Sequence, residues 1–123
     1  MKTKSFKDLI VWQKAYKLVI EVYKITKSFP NDEIYGLSSQ MRRTAVSIAS
    51  NIAEGYGRSY NKEYKQFLSI AYGSLCELET QYLLSVDLGY MKRNETMDNL
   101  LKEVGSMLYC MIHPKPYTLN AIR

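Results

Sequence analysis

Residues 61–88, NKEYKQFLSIAYGSLCELETQYLLSVDL, decide the fold class. Within them Tyr64, Leu68, Ala71, Leu75, Leu78 and Tyr82 recur at alternating spacings of four and three. That rhythm lines the apolar side chains along one stripe of an α-helix and matches the seam of left-handed bundle packing. A half-buried strand would need strict two-residue alternation, which the stretch lacks. Asn61 offers a cap at the start and Gly89 a stop at the end.

Working outward, Gly55-Tyr56-Gly57 interrupts the pattern, and a second helix is predicted before it, over about 35–54. Its start signals are Pro30, Asn31 and Asp32, and its apolar face is Leu37, Met41, Ala45, Ile48, Ala49, Ile52 and Ala53. The small residues Ala45, Ala49 and Ala53 allow a neighbouring helix to approach closely. Arg43, Ser47, Ser50 and Glu54 lie on the polar side.

Further upstream, Ser5 and Asp8 form an S-x-x-D capping signal for a helix over about 6–27, ended by Phe29-Pro30. Leu9, Trp12, Ala15, Tyr16, Val19, Val22 and Tyr23 share one face there. Val11, Leu18 and Ile25 widen it beyond the roughly 100° stripe that one core needs. A wider arc predicts a second burial surface, and so a partner subunit.

Downstream, Met97, Leu100, Leu101, Val104, Met107, Leu108 and Met111 mark a helix over about 94–112. His113-Pro114-Lys115-Pro116 ends it, and the tail over 113–123 reads as extended or mobile. Four periodic segments with short connections predict one domain over 1–123. The expected architecture is an all-α, antiparallel up-down-up-down, left-handed four-helix bundle. At 123 residues, 46% of them apolar, the chain can bury one core but not two.

The net charge of +5 is unevenly placed. Residues 1–65 carry twelve Lys/Arg against six Asp/Glu, whereas residues 66–123 carry five against six. A basic half points to an anionic partner such as nucleic acid or a membrane surface. Lys14 and Lys17, with Lys7 and Lys24, lie opposite the apolar face of the first helix, which is also where a solvated face would place them. Arg42 falls within the arc of Val46, Ala49 and Ala53, where a guanidinium must be paired or lie at an interface. Glu79, at the edge of the third helix's stripe, is one candidate partner in a structural ion pair.

The segment Gly55 to Lys65 is the best candidate for ligand contact. Arg58, Lys62 and Lys65 could meet phosphates beside a helix N-terminus, while Tyr56 and Tyr60 could stack on unpaired bases. Tyr64 belongs to the core seam instead.

Catalysis has little to draw on. His113, the single histidine, sits at a helix end beside proline and reads as a terminal cation or a solvated side chain. No arginine precedes it within 15 residues, unlike the Arg-then-His pattern of some small helical-bundle ribonucleases. Zinc needs about four clustered ligands, a di-iron bundle needs Glu-x-x-His pairs, and a phosphate loop needs G-x-x-x-x-G-K-[ST]. The chain has none of these patterns, so no enzyme, metal or cofactor is expected. Cys76 and Cys110 lack C-x-x-C spacing and read as buried thiols in a reducing cytoplasm. Met1-Lys2-Thr3-Lys4-Ser5 begins like a secretory signal, but Lys7, Asp8, Gln13 and Lys14 interrupt any apolar region after it. A cytoplasmic protein with no membrane partner is expected.

Several ordered motifs now stand together. They are Phe6-Lys7-Asp8-Leu9-Ile10-Val11-Trp12-Gln13-Lys14-Ala15, Phe29-Pro30, and Tyr35-Gly36-Leu37-Ser38-Ser39-Gln40-Met41-Arg42-Arg43. With them come Ala45 to Gly55, Gly57-Arg58, Phe67 to Ser74, Glu77-Leu78-Glu79 and Leu88-Gly89-Tyr90. Across residues 5–112 the chain resembles the four-helix bundle proteins encoded in intervening sequences of bacterial 23S ribosomal RNA genes. Its architecture is also similar to that of the accessory variability proteins of diversity-generating retroelements. The resemblance implies a left-handed up-and-down bundle that assembles into a homopentameric ring. It further implies a basic surface for RNA or DNA or, in the alternative, a scaffold that recruits a nucleic-acid-processing enzyme such as a reverse transcriptase. It supplies no active site. Arg42-Arg43 and Glu54-Gly55-x-Gly57-Arg58 carry over by position only.

Overall fold

The structure is a computed structural model that describes residues 4–114. Among the described residues it holds four α-helices: α1 Ile10–Thr26, α2 Leu37–Tyr56, α3 Asn61–Asp87 and α4 Glu95–Ile112. Single 3-10 turns at Phe6–Asp8 and Asn31–Glu33 precede α1 and α2, and no strand occurs among the described residues. The tail expectation falls outside the described residues beyond Pro114.

Each helix packs on two others, α1 on α2 and α4, and α3 on α2 and α4. This closes a ring of contacts around one core. Val11, Ala15, Leu18 and Val22 enter it from α1, and Met41, Ala45, Ile48 and Ile52 from α2. Leu68, Ala71, Leu75, Leu78 and Tyr82 enter from α3, following the four-three rhythm of the sequence. Met97, Leu101, Val104 and Leu108 complete it from α4. Along the α2–α3 contact, Thr44 meets Glu77, Ser47 meets Ser74 and Gly55 meets Phe67. Residue numbers therefore rise along one helix as they fall along the other.

The first helix differs from the expectation in extent and in facing. Ser5 does cap, but its Oγ accepts from Lys7 N at 3.2 Å to close only a 3-10 turn, and Asp8 accepts from Lys4 N at 3.0 Å. Leu9 is then extended, with ψ of 125°, so α1 starts afresh at Ile10. Its buried centre is Val11, Ala15, Leu18 and Val22, whereas Tyr16 and Tyr23, expected inside, are exposed. The apolar arc is as wide as expected, but α2 and α4 cover only part of it.

Gly55 is no helix breaker. It is buried within α2, which runs on to Tyr56, and Gly57 caps the end. A Cβ on Gly55 would stand 2.7 Å from Phe67 Cβ, so only glycine lets α2 and α3 come this close. Asn61 is the first helical residue of α3 rather than its cap, which is Tyr60. Cys76 and Cys110 are exposed rather than buried, because both lie on the open α3–α4 groove.

At the other end of the bundle the connections are tied by specific bonds. Gly89, with φ of 79°, ends α3: Gly89 N donates to Val86 O and Tyr90 N to Ser85 O, satisfying the last carbonyls in a Schellman arrangement. Asn94 caps α4 by accepting from Met97 N at 3.0 Å and donates to Glu21 of α1. Its backbone N donates to the Tyr82 hydroxyl at 2.8 Å. Glu33 accepts from the Tyr90 hydroxyl at 2.7 Å and from Leu37 N at 3.2 Å, holding the turn before α2 against the turn after α3.

Two glycines should respond oppositely to the same substitution. Gly55→Ala is expected to cost about 1–3 kcal/mol through overpacking against Phe67. Gly73→Ala, mid-helix with nothing within 4 Å of its added Cβ, should gain about 0.5–1 kcal/mol. Urea denaturation of both variants checks the pair.

The Glu33 latch has a pH signature. Its hydrogen bond from Tyr90, and secondarily that from Leu37 N, holds the carboxyl below its ordinary 4.5. Because the folded value is the lower one, the stabilisation is present above pH 4.5 and disappears as pH falls through the depressed folded value. The bond to Glu33 also raises the Tyr90 hydroxyl above 10.0, so that contribution is present below pH 10.0 and is lost as pH rises through the raised value. Tyr90→Phe should remove most of the Glu33 displacement in a carboxyl NMR titration and flatten the acid limb of melting temperature against pH.

Candidate nucleic-acid interface

The sequence nominates eight residues for nucleic-acid contact, and the fold distributes them over three places. Arg58, Lys62, Lys65, Tyr56 and Tyr60 gather at the α2–α3 turn. Lys14 and Lys17 line the groove between α1 and α4. Arg43 stands near the other end of α2, about 20 Å from the turn at 1.5 Å per residue. No single continuous site collects them.

Intramolecular partners take up part of the charge. Arg58 donates to Glu54 at 2.9 Å and lays its guanidinium over the Phe67 ring, 4.9 Å from the centroid. It thus folds back onto the α2–α3 junction. Lys14 pairs with Glu103 of α4. Tyr56 meets Tyr64 edge-on at 6.4 Å, and burial first, then Tyr56, pushes the Tyr64 hydroxyl above its usual range.

Among the described residues, Lys17, Arg43, Lys62 and Lys65 make no ion pair. Lys62 and Lys65 are exposed on the first turns of α3 and border a shallow groove with Gln66, Ser69, Ile70 and Ile112. Tyr60, 70% exposed, occupies the N-cap position and supplies no side-chain cap. The first-turn N–H groups of α3 therefore add their dipole to two free ammonium groups. Glu63 in the same turn offsets part of that field.

Arg42 does not pair with Glu79. Its Nε donates to Thr26 Oγ1 at 2.9 Å and its guanidinium lies 4.9 Å from the Tyr23 centroid, between α1 and α2. Glu79 is exposed on the α3–α4 groove. Arg42 needs no carboxylate because it lies at the surface of the helix pair, with its stem packed and its head on an aromatic face.

A grouping that the sequence reading missed surrounds this arginine. Tyr23, Ile34, Tyr35, Ser39, Arg42, Arg43 and Val46 line one groove of about 490 Å³ between α1 and α2. Tyr35 is 92% exposed. Assigning Tyr35 to the second helix hid it, since the helix starts at Leu37 and leaves Ile34-Tyr35 on the turn before it.

No group of three or more His, Cys, Asp or Glu among the described residues is placed to hold a metal ion. His113 is exposed, with its ring 4.8 Å from that of Tyr109. Among the described residues no helix is long and apolar enough to cross a membrane.

Against known proteins, residues 7–110 match the family described as 23S rRNA-intervening sequence protein. No curated protein matches the chain. A solved protein of unknown function from the S23 ribosomal protein family, from Bacteroides thetaiotaomicron VPI-5482, shares 22% identity at a TM-score of 0.78. The match covers 85% of this chain and 99% of that one. At that identity the likeness speaks for the fold alone.

The Arg42 placement is testable by a double-mutant cycle. Arg42→Ala should cost about 1–2 kcal/mol through the lost hydrogen bond and ring contact, and should couple to Thr26→Val. Glu79→Ala should change stability by less than about 0.5 kcal/mol and show no coupling to Arg42.

Proposed function

We propose that this chain, which belongs to the 23S rRNA-intervening sequence protein family, is a non-catalytic, basic, oligomeric helical protein that holds RNA or DNA through phosphate contacts. In this reading its single domain is an antiparallel up-down-up-down bundle with left-handed packing, working as a homopentamer in the cytoplasm. The observation that carries it is the start of α3, where Lys62 and Lys65 make no ion pair among the described residues and stand beside a helix N-terminus without a side-chain cap and the exposed ring of Tyr60. Free ammonium groups and unshared N–H groups favour phosphate, and an exposed tyrosine offers a stacking surface for a base. Arg43 and Lys17 add basic groups at two other places on the bundle, while Arg58 and Lys14 serve mainly to join helices.

Oligomer formation is supported by apolar surface left uncovered by the chain itself. Tyr16, Ile20 and Tyr23 continue the α1 arc beyond the core, and Ile34, Tyr35 and Val46 extend it across α2. A patch of this kind on a soluble protein marks a protein contact. It equally favours the second reading, a scaffold whose apolar face recruits a nucleic-acid-processing enzyme.

Binding of labelled structured RNA and duplex DNA across a salt series, with mass by light scattering, separates the two. Under the phosphate-contact reading, affinity falls steeply with salt, and Lys62→Gln with Lys65→Gln lowers the logarithmic salt slope by roughly 2 on duplex DNA. The particle is several protomers in mass. Absence of binding at low salt would favour the scaffold, and an unchanged slope in the double variant would remove the α3 start from the interface.

A further inference from the structure

Between α2 and α3 runs a groove of about 500 Å³ lined by Gln40, Arg43, Thr44, Ser47, Glu77 and Gln81, among others. Its hydroxyls are already engaged. Thr44 donates to Gln40 O at 2.7 Å, Ser47 and Ser74 bond each other at 3.1 Å, and Asn51 donates to Ser47. Gln81 is different. The residue is only 8% exposed, and its Oε1 is buried with no hydrogen-bond partner. A buried carboxamide oxygen without a protein donor opposes folding, and its residue's place on the groove wall lets a donor from a ligand or a water satisfy it.

The remaining chemistry of the groove is specific. Glu77 lies one turn before Gln81 on the same side of α3, and a carboxylate can only accept. Together they make a wall of acceptors. Arg43 stands at the exposed rim and makes no ion pair among the described residues, and a guanidinium only donates. The complementary ligand therefore carries clustered N–H donors at one end and an anionic group at the other. Among unpaired nucleotides, guanosine fits best. Its Watson–Crick edge presents N1–H and the 2-amino group side by side, whereas adenine and cytosine offer a single amino group and uracil a single N–H.

We propose that the α2–α3 groove reads one unpaired guanine of a bound strand, with Gln81 and Glu77 accepting from its N1–H and 2-amino groups and Arg43 holding a neighbouring phosphate. This rests on the nucleic-acid reading above and adds a sequence preference to a binding mode that phosphate contacts alone leave indifferent to sequence.

The test uses labelled single-stranded oligouridine carrying one central guanosine, adenosine or inosine, measured by fluorescence anisotropy at low salt. The full chain should bind the guanosine strand roughly tenfold more tightly than the adenosine strand. Inosine, which lacks the 2-amino group, should fall between. Gln81→Leu should erase the guanosine preference, leave affinity for plain oligouridine unchanged, and keep or raise the melting temperature. Glu77→Ala, at an exposed position, should weaken the same preference without touching the core. Equal binding of the guanosine and adenosine strands, with oligouridine still bound, would overturn the guanine site and spare the phosphate reading. Full discrimination retained in both variants would overturn it as well, leaving Gln81 to a bridging water. Failure to bind any strand or structured nucleic acid would remove both proposals together.

Discussion

The contact between Gly55 and Phe67 governs much of this molecule. With no Cβ at position 55, α2 and α3 close to a distance that any other residue would forbid. The approach lets α2 continue to Tyr56, shortens the turn to α3, and makes α2–α3 the most intimate helix pair of the bundle. Arg58 is consequently drawn over Phe67 and onto Glu54. A segment that composition alone would assign to a flexible basic loop is mostly helix.

The same economy of contacts decides which charges face solvent alone. Lys14 reaches across to Glu103 of α4, Arg42 rests on Tyr23 and Thr26, and Arg58 joins the end of α2 to α3. Their exposed or half-exposed settings make each contact a modest contribution to stability, since solvent screens surface pairs. What they do is orient: each fixes a basic group in one direction, and of the nominated contact residues Lys17, Arg43, Lys62 and Lys65 are the cations that make no ion pair among the described residues. The basic half of the sequence is therefore a smaller basic surface than its residue count suggests.

The opposite end of the bundle is organised by neutral and polar bonds. Asn94 links three helices, through its backbone to Tyr82, its side-chain Oδ1 to Met97 N and its side-chain amide to Glu21. Glu33 and Tyr90 join the two turns beside it, with Phe29 packed on the Tyr90 ring at 5.5 Å. One end is thus locked by hydrogen bonds while the other presents the free amines of α3. Uncovered apolar residues, Tyr23, Ile34, Tyr35 and Val46 among them, lie along the α1–α2 side between them.

Periodicity alone determined that the described chain is helical, that it holds four helices, and which apolar side chains supply most of the core from α2, α3 and α4. These follow from local spacing, because a residue's place around a helix depends only on its number. The stop at Gly89 was equally legible, being a backbone preference of a single position. Tertiary structure decided the rest. The orientation of α1 depends on which flanks α2 and α4 cover, so Val11 and Leu18 rather than Tyr16 and Tyr23 became its centre. Gly55 could be a break or a close approach, and only the presence of Phe67 across the interface chose between them. The partners of Arg42 and Arg58, the exposure of both cysteines and the orphaned oxygen of Gln81 are properties of pairs distant in sequence. No spacing rule along the chain encodes them, because they exist only once the helices have met.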